Sequence, residues 1–536
     1  MMHISTRRIM FLLAEFEKEF LSMRASGILL PVSSLPSKYG IGCFSKSAFE
    51  WIDFLQESGQ TFWQILPLGP TSYGDSPYQS FSTFAGNPYF ISLEELIEEG
   101  LLTRAECESA QLGTNPSYVD YEKQYENRNP LLHKAYENSK KREDAEFLKF
   151  EEEQKEWLPD YALFMALKDV HDKQAWNTWE KELIQKEPEV LAKYREELAD
   201  EICYYEYLQY WFLKQWLKVK KYANERGIKI IGDIPIYVAF DSADAWMNPE
   251  LFEFDEDMNP IEVAGCPPDG FTADGQLWGN PIYDWEYHKK QNFAWWIRRI
   301  KHCEVLYDVV RIDHFRGFDE YYTIPYGMTN ARIGKWKKGP GIALFKEVKK
   351  HVKNIEIIAE DLGYMTQSVR DLVAETGYPG MKVLQFAFGG GSDNEYLPHN
   401  YTPNSVVYTG THDNETLMQY LDGTQDHVRN HIREYMNRPH ASNEELCENL
   451  IWMAMSSVGK YCIIPIQDYL CLGNEARINH PSTLGGNWIW RLHKDEISKK
   501  LVKKIRRMTE LYCRIPEKTE MTLKAEDAED LGEEKK

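Results

Sequence analysis

The sequence predicts a closed parallel α/β barrel, a (β/α)8 fold with large, mainly helical insertions between barrel strands. Three observations carry this. Short runs of β-branched, aliphatic and aromatic residues recur near positions 28, 63, 231, 310, 357, 384, 407 and 464, the strand count of such a barrel. Helical periodicity fills the spaces between them, as in Ser45 to Ser58 with Phe49, Trp51, Ile52 and Leu55, and this alternation implies a parallel sheet. Three of the strands run out into acids: Asp313, then Glu360-Asp361, then His412-Asp413-Asn414. The carboxyl end of a barrel strand is where catalytic groups sit.

Composition narrows the classes. A simple barrel takes about 250 residues, so 536 residues leave room for insertions. The formal net charge is −22, from 62 Lys+Arg against 84 Asp+Glu. That disfavours nucleic acid and anionic membrane as partners, since both need a basic footprint, and it fits a neutral substrate. Aromatics make up 13% of the chain, which composition alone assigns to a core before sugar-stacking platforms. The nine cysteines are scattered without CxxC spacing, so no zinc site is expected. Arg7-Arg8 before Ile9 to Ala14 resembles a signal peptide, but the apolar run is too short and Glu15, Glu17, Lys18 and Glu19 follow at once. The expectation is a cytoplasmic protein with reduced thiols.

Taken in order, residues 1–22 read as an N-terminal extension, with Met23 as the expected start. Residues 23–516 form the barrel. Gly27 to Leu30 is the first strand, and Thr61 to Pro70 holds the second, stopped by Pro and Gly. Residues from about 93 to 206 form a helical insertion. Pro188 to Glu225 reads as one amphipathic helix closed by Gly227. Ile228 to Val238 is the third strand. A substrate-covering loop is expected at about 250–285, its Gly- and Pro-rich part running from Gly265 to Asn280. A helix containing Ala343 to Val352 precedes the strand at Ile355 to Ala359. Met381 to Phe388, Ser405 to Tyr408 and Tyr461 to Ile466 complete the set. Residues 517–536 are charged, poor in apolar side chains and expected to be disordered.

The acids are far enough apart for one or two β/α units each, so all three reach one face of a parallel barrel. One acid at a strand end could be a helix cap or an ion pair. Three, with His314, His412 and Arg311 beside them, are harder to explain so. Such a cluster permits a magnesium or calcium site, or glycosyl transfer by paired carboxylates. The second explains the neighbours better. Arg311 and Asp313 point to the same side of a strand, and a cation there keeps Asp313 ionised for attack. Glu360 would carry a proton to the leaving oxygen, which needs a raised pKa. Asp413 would bind sugar hydroxyls and help distort the ring, and His314 and His412 would donate to hydroxyls. No metal or other cofactor is expected.

Seven segments then resemble one family. They are Ile28 to Pro36, Tyr73 to Gln79 (Tyr-Gly-Asp-Ser-Pro-Tyr-Gln), Gly232 to Pro235, Gly275 to Pro281 (Gly-Gln-Leu-Trp-Gly-Asn-Pro), Arg311 to Gly317, Ala359 to Gly363 and Thr411 to Asn414. In order and combination they resemble the 4-α-glucanotransferases, or amylomaltases, of the α-amylase superfamily. The resemblance implies Asp313 as nucleophile, Glu360 as acid/base and Asp413 as transition-state stabiliser. It implies Arg311, His314 and His412 as donor-sugar contacts and Tyr78 as the aromatic at the cleavage point. Tyr73 would belong to a second glucan site, Asp269 and Trp278 to the loop over the acceptor side, and Asn479 and Pro481 to the cleft rim. Gly270 departs from the family, where an aromatic commonly follows Pro-Pro-Asp. The implied activity is retaining transfer of an α-1,4-glucan segment to the 4-hydroxyl of another glucan or of glucose, with the carboxyl groups about 5–5.5 Å apart. The alternatives are a hydrolase of the same superfamily, a non-catalytic glucan-binding barrel and a metal-dependent enzyme. The protein would be a monomer or homodimer.

Overall fold

The computed structural model describes residues 24–72, 74–140, 144–268 and 272–515. Among the described residues twelve strands occur in chain order: β1 Ala25–Leu29, β2 Phe62–Gln64, β3 Lys229–Pro235, β4 Glu262–Cys266, β5 Gln276–Pro281, β6 Val309–Asp313, β7 Glu320–Pro325, β8 Lys335–Lys338, β9 Glu356–Ala359, β10 Gly380–Val383, β11 Ser405–Tyr408 and β12 Tyr461–Pro465. Eight of them, ordered β10-β11-β12-β1-β2-β3-β6-β9, form one sheet whose pairs are all parallel. The ends meet at a seam where the Ala359 amide donates to the Pro379 carbonyl at 3.0 Å. This is the near-closed barrel that the eight apolar runs imply.

Alternation along each strand fills the barrel. Leu29, Phe62, Ile231, Val309, Ile358, Met381, Val406 and Ile463 form one buried cluster inside it. Val309 lies in that cluster, so Arg311 and Asp313 share its side of β6 and sit one and two layers higher. Residues of the opposite parity, such as Val310, Ile312, Ile28 and Ile230, belong to the larger cluster with the surrounding helices. That outer core absorbs much of the aromatic content: Trp63, Trp176, Trp216, Trp246 and Trp296 are all fully buried.

Three sequence expectations need correction. Pro188 to Glu225 is two helices, Pro188–Glu197 and Ala199–Glu225, divided where Leu198 leaves helical geometry at φ −106°, ψ 18°. The first has no fully buried side chain, while the second is sunk in the core, so each serves a different environment. The second runs unbroken across position 206 to Glu225 and ends before Gly227, whose φ is 74°. The strand expected at Met381 to Phe388 stops at Val383. There the chain turns into a 3-10 turn at Leu384–Phe386, and the Gln385 side chain donates through Nε2 to the Glu415 carbonyl at 2.7 Å.

The third correction is a missed sheet. Gly265 to Asn280 is no plain loop: its ends are β4 and β5, which pair antiparallel within a four-stranded sheet ordered β5-β4-β7-β8. This sheet follows the third barrel strand and brackets the fourth, β6, in sequence. Tyr73, Asp269, Gly270, the N-terminal extension and the tail at 517–536 lie outside the described residues. Among the described residues no helix is long and apolar enough to cross a membrane.

Candidate active site

The site is built at the carboxyl ends of β3, β6, β9 and β11. Register fixes the first three. Asp233 pairs with Arg311, and Ile312 pairs with Ala359, so Asp313 and Glu360 stand side by side one step further on. The Glu360 amide donates to the Ile312 carbonyl, and the Phe315 amide donates to the Glu360 carbonyl, each at 3.1 Å.

Arg311 is the centre of charge. Its Nη1 donates to both oxygens of Asp233 at 2.9 and 2.7 Å, and its Nη2 donates to Asp313 Oδ1 at 2.8 Å. Asp233 is wholly buried, while the Asp313 side chain keeps 29% of its surface open to the cleft. Burial opposes the charge on Arg311, but Asp233 and Asp313 outweigh it and raise the guanidinium well above its ordinary value. Burial pushes the Asp233 carboxyl up to about 6 against the pull of Arg311. It remains paired and ionised at neutral pH. Tyr78 Oη donates to Asp233 Oδ2 at 2.9 Å, which ties the Tyr78 loop to the same charge network.

Glu360 has a different environment. Its Oε2 accepts from the His314 amide and its Oε1 from the Leu362 amide, both at 2.7 Å. Burial, joined by the Asp313 charge, pushes its carboxyl up to about 7, with Arg311 and the two amides pulling the other way. His314 can present its amide because it adopts a left-handed conformation, φ 54°. That conformation is uncommon outside glycine and is concentrated at functional sites. Burial lowers the His314 imidazole to about 4, so it is neutral. Trp278, on β5, packs edge-on against it with ring centres 4.7 Å apart.

Asp413 completes the group. Its Oδ1 accepts from Asn479 Nδ2 at 2.6 Å, and its Oδ2 lies 3.2 Å from His412 Nε2. Burial would raise its pKa, but the His412 charge and the hydrogen bonds from His412 and Asn479 prevail and hold it well below the usual carboxylate range. Burial likewise opposes protonation of His412, and the Asp413 charge more than offsets it. The Tyr78 ring stacks on His412, with centres 5.1 Å apart and planes 18° apart.

The structure therefore brings together Asp313, Glu360, Asp413, Arg311, His314, His412 and Tyr78, with Trp278 and Asn479 in contact with members of that group. Pro481 is exposed on the turn two residues beyond Asn479. Three members were not singled out from sequence. Asp233 is the buried partner of Arg311; its signals were an acid within the apolar run Ile230-Ile231-Gly232-Asp233-Ile234 and its place in the Gly232 to Pro235 segment. Trp488 packs against Tyr78 and His412 at 5.8 and 6.0 Å. Arg477 donates to the Asp413 carbonyl at 3.3 Å. Trp488 gives no sequence signal of its own, and Arg477 has only its place in the Glu475 to Pro481 segment beside Asn479. Among the described residues no group of three or more His, Cys, Asp or Glu side chains is placed to hold a metal ion.

A parallel barrel whose carboxyl mouth holds one acid paired to arginine, one with a raised pKa and one kept ionised defines an enzyme of the glycoside-processing class. Comparison with known proteins narrows this. The family model described as 4-alpha-glucanotransferase matches residues 30–497. The chain is 50% identical over 486 residues to the 4-alpha-glucanotransferase of Clostridium butyricum, covering 90% of this chain and 99% of that protein. It is 43% identical to the 4-alpha-glucanotransferase of Thermus thermophilus over 92% of this chain and 99% of that one. The amylomaltase of Streptococcus agalactiae, solved in complex with acarbose, superposes with a TM-score of 0.89 at 42% identity, over 92% of this chain and 99% of that one. The chain belongs to the 4-alpha-glucanotransferase family, and its activity is glucanotransfer on α-glucans.

Proposed function

We propose that the enzyme works by double displacement with retention, with Asp313 as nucleophile, Glu360 as acid and then base, and Asp413 as stabiliser of the distorted sugar. The observation that carries this reading is the contrast between two adjacent carboxyls. Asp313 is paired to Arg311 at 2.8 Å, whereas Glu360 is buried and raised to about 7. One is ready to attack and the other to give up a proton. Asp313 attacks the anomeric carbon while Glu360 protonates the departing glucan oxygen. Glu360 then takes the proton from an incoming 4-hydroxyl as that oxygen displaces Asp313. The carboxyl separation expected for this course is about 5–5.5 Å.

The donor would be a maltooligosaccharide or a longer α-1,4-glucan, and the acceptor another such chain or glucose. Arg311, His314, His412 and Tyr78 would line the donor sugar, and Asn479 and Pro481 the rim. Trp278, with Asp269 and the rest of the 250–285 segment, would cover the acceptor side and keep water from the intermediate. The helical chain at 93–206 would be an insertion outside the catalytic barrel.

Incubation with pure maltotriose and chromatography of the products tests the reaction. Glucose with maltotetraose and longer chains is the expected result; glucose and maltose alone would assign water as the acceptor. The residue roles are tested with Glu360→Gln and α-maltosyl fluoride, whose leaving group needs no proton. A maltosyl mass increment should appear on the peptide carrying Asp313, and an increment on another acid would overturn the assignment.

A further inference from the structure

Two cysteines converge on one backbone carbonyl behind the catalytic mouth. Cys447 is fully buried in the helix Asn443–Ser456, and its Sγ donates to the Asp468 carbonyl at 3.6 Å. The Cys471 amide donates to the same oxygen at 3.1 Å. Cys471 is half-buried, and its backbone is left-handed at φ 54°. The Cys447 thiol also donates to the Cys471 sulfur. That bond, with the Lys504 charge, draws the Cys471 thiol below its ordinary value against the effect of burial. Cys471 is thus the more acidic and more accessible partner, and Cys447 is the neighbour placed to resolve it.

The segment that carries Cys471 also holds the site. The Asp468 side chain accepts from Thr409 Oγ1 at 2.5 Å and from the Leu417 amide at 2.8 Å, which anchors the stretch leading to His412 and Asp413. Gln467 Nε2 donates to the Ala476 carbonyl at 3.2 Å. The next residues are Arg477, bonded to the Asp413 carbonyl, and Asn479, bonded to its carboxylate.

We propose that Cys447 and Cys471 form a two-electron redox site that closes to a disulfide under peroxide and lowers transferase activity by shifting the segment that carries Asn479. The Cys471 thiolate attacks one peroxide oxygen. The O–O bond breaks, and the leaving hydroxide takes a proton to become water, which leaves a sulfenic acid. The Cys447 sulfur then attacks that sulfur. The S–O bond breaks, a second water leaves and the S–S bond forms. Two thiols give up two electrons and two protons, and one hydrogen peroxide is reduced to two waters. Closure brings the sulfurs to about 2.05 Å from each other and removes the thiol hydrogen from the Asp468 carbonyl. The effect on rate rests on the reading of Asp413 as stabiliser, with Asn479 as its positioning residue.

The test treats the full chain with hydrogen peroxide, quenches with catalase, maps peptides without reduction and measures maltotriose disproportionation before and after dithiothreitol. A linked Cys447–Cys471 peptide is expected, with kcat down roughly ten- to hundredfold, as a displaced catalytic group costs, KM unchanged, and recovery on reduction. Cys471→Ser and Cys447→Ser should keep their starting rate through the same treatment. Absence of the linked peptide, a linked peptide with unchanged rate, or equal losses in both serine variants would overturn the proposal. Failure of the Asp413 reading would show separately, as an Asp413→Asn enzyme that keeps its activity.

Discussion

The two flanks of the cleft hold the same functional group in different surroundings. On the β6 flank, Asp313 shares a guanidinium with a wholly buried second acid. On the β9 flank, Glu360 is buried and accepts from two backbone amides, and among the described residues no cation is bonded to it. The lesson is that residue type does not set a carboxyl group's environment; the placement of one arginine does, and the proposed division into nucleophile and acid follows it. Arg311 reaches across to Asp233 and up to Asp313, and Glu360 stands beyond its hydrogen-bonding fork.

The comparison breaks most sharply at the acid that has the cation. Asp313→Asn should cost about four orders of magnitude or more in kcat, since no other group replaces a lost nucleophile. A variant within tenfold of the parent enzyme would place the nucleophile elsewhere. On the other flank, Glu360→Gln should cost roughly two to four orders of magnitude with glucan donors, the range for a lost general acid. With an α-fluoride donor the first step should be far less affected.

The same flank sets the pH response. Glu360 is raised to about 7, so its protonated form predominates below that pH and is lost above it. kcat/KM for glucan donors should fall as pH rises through about 7, tenfold per unit at the limit. The fluoride donor should show no such limb, and identical limbs for both donors would assign the titration to another group. Arg311→Met removes the cation from between two acids. Leaving Asp233 buried and unpaired should cost about 3–5 kcal/mol of stability, read from denaturant unfolding, and a smaller cost would mean that Asp233 takes up a proton instead. The smallest effect is expected at Trp278→Ala. Loss of its edge contact with His314 should change acceptor use by roughly three- to tenfold, the scale of an aromatic pair, read as the ratio of transfer to hydrolysis.

The eight parallel strands and their acids were legible because a buried strand must be apolar and its mouth need not be. Val309-Val310 leading to Asp313, and Ile357-Ile358 leading to Glu360, display both rules in a few residues. The antiparallel sheet was not legible because its outer strand β8, paired to β7, carries charge and no apolar alternation. Lys335 and Lys337 on β8 both meet Glu262 on β4, at 2.8 and 2.6 Å, and Lys338 meets Glu320 on β7 at 2.7 Å. Such a strand reads as a charged loop. Trp278 was legible as a motif residue, but its contact with His314 was not, because that depends on how this sheet sits over the barrel. Asp233 escaped for a related reason: its role depends on an arginine 78 residues away in sequence.

The left-handed turn at His314 has a stereochemical consequence. A carboxyl group offers four lone-pair directions, two on each oxygen. The His314 amide takes one on Oε2, and the Leu362 amide takes one on Oε1. A proton on Glu360 must therefore sit on one of the two directions left, so under the proposed mechanism the line of proton delivery is drawn by the main chain. Side-chain substitutions around Glu360 can change how tightly that proton is held. Re-aiming it would require unwinding the turn itself.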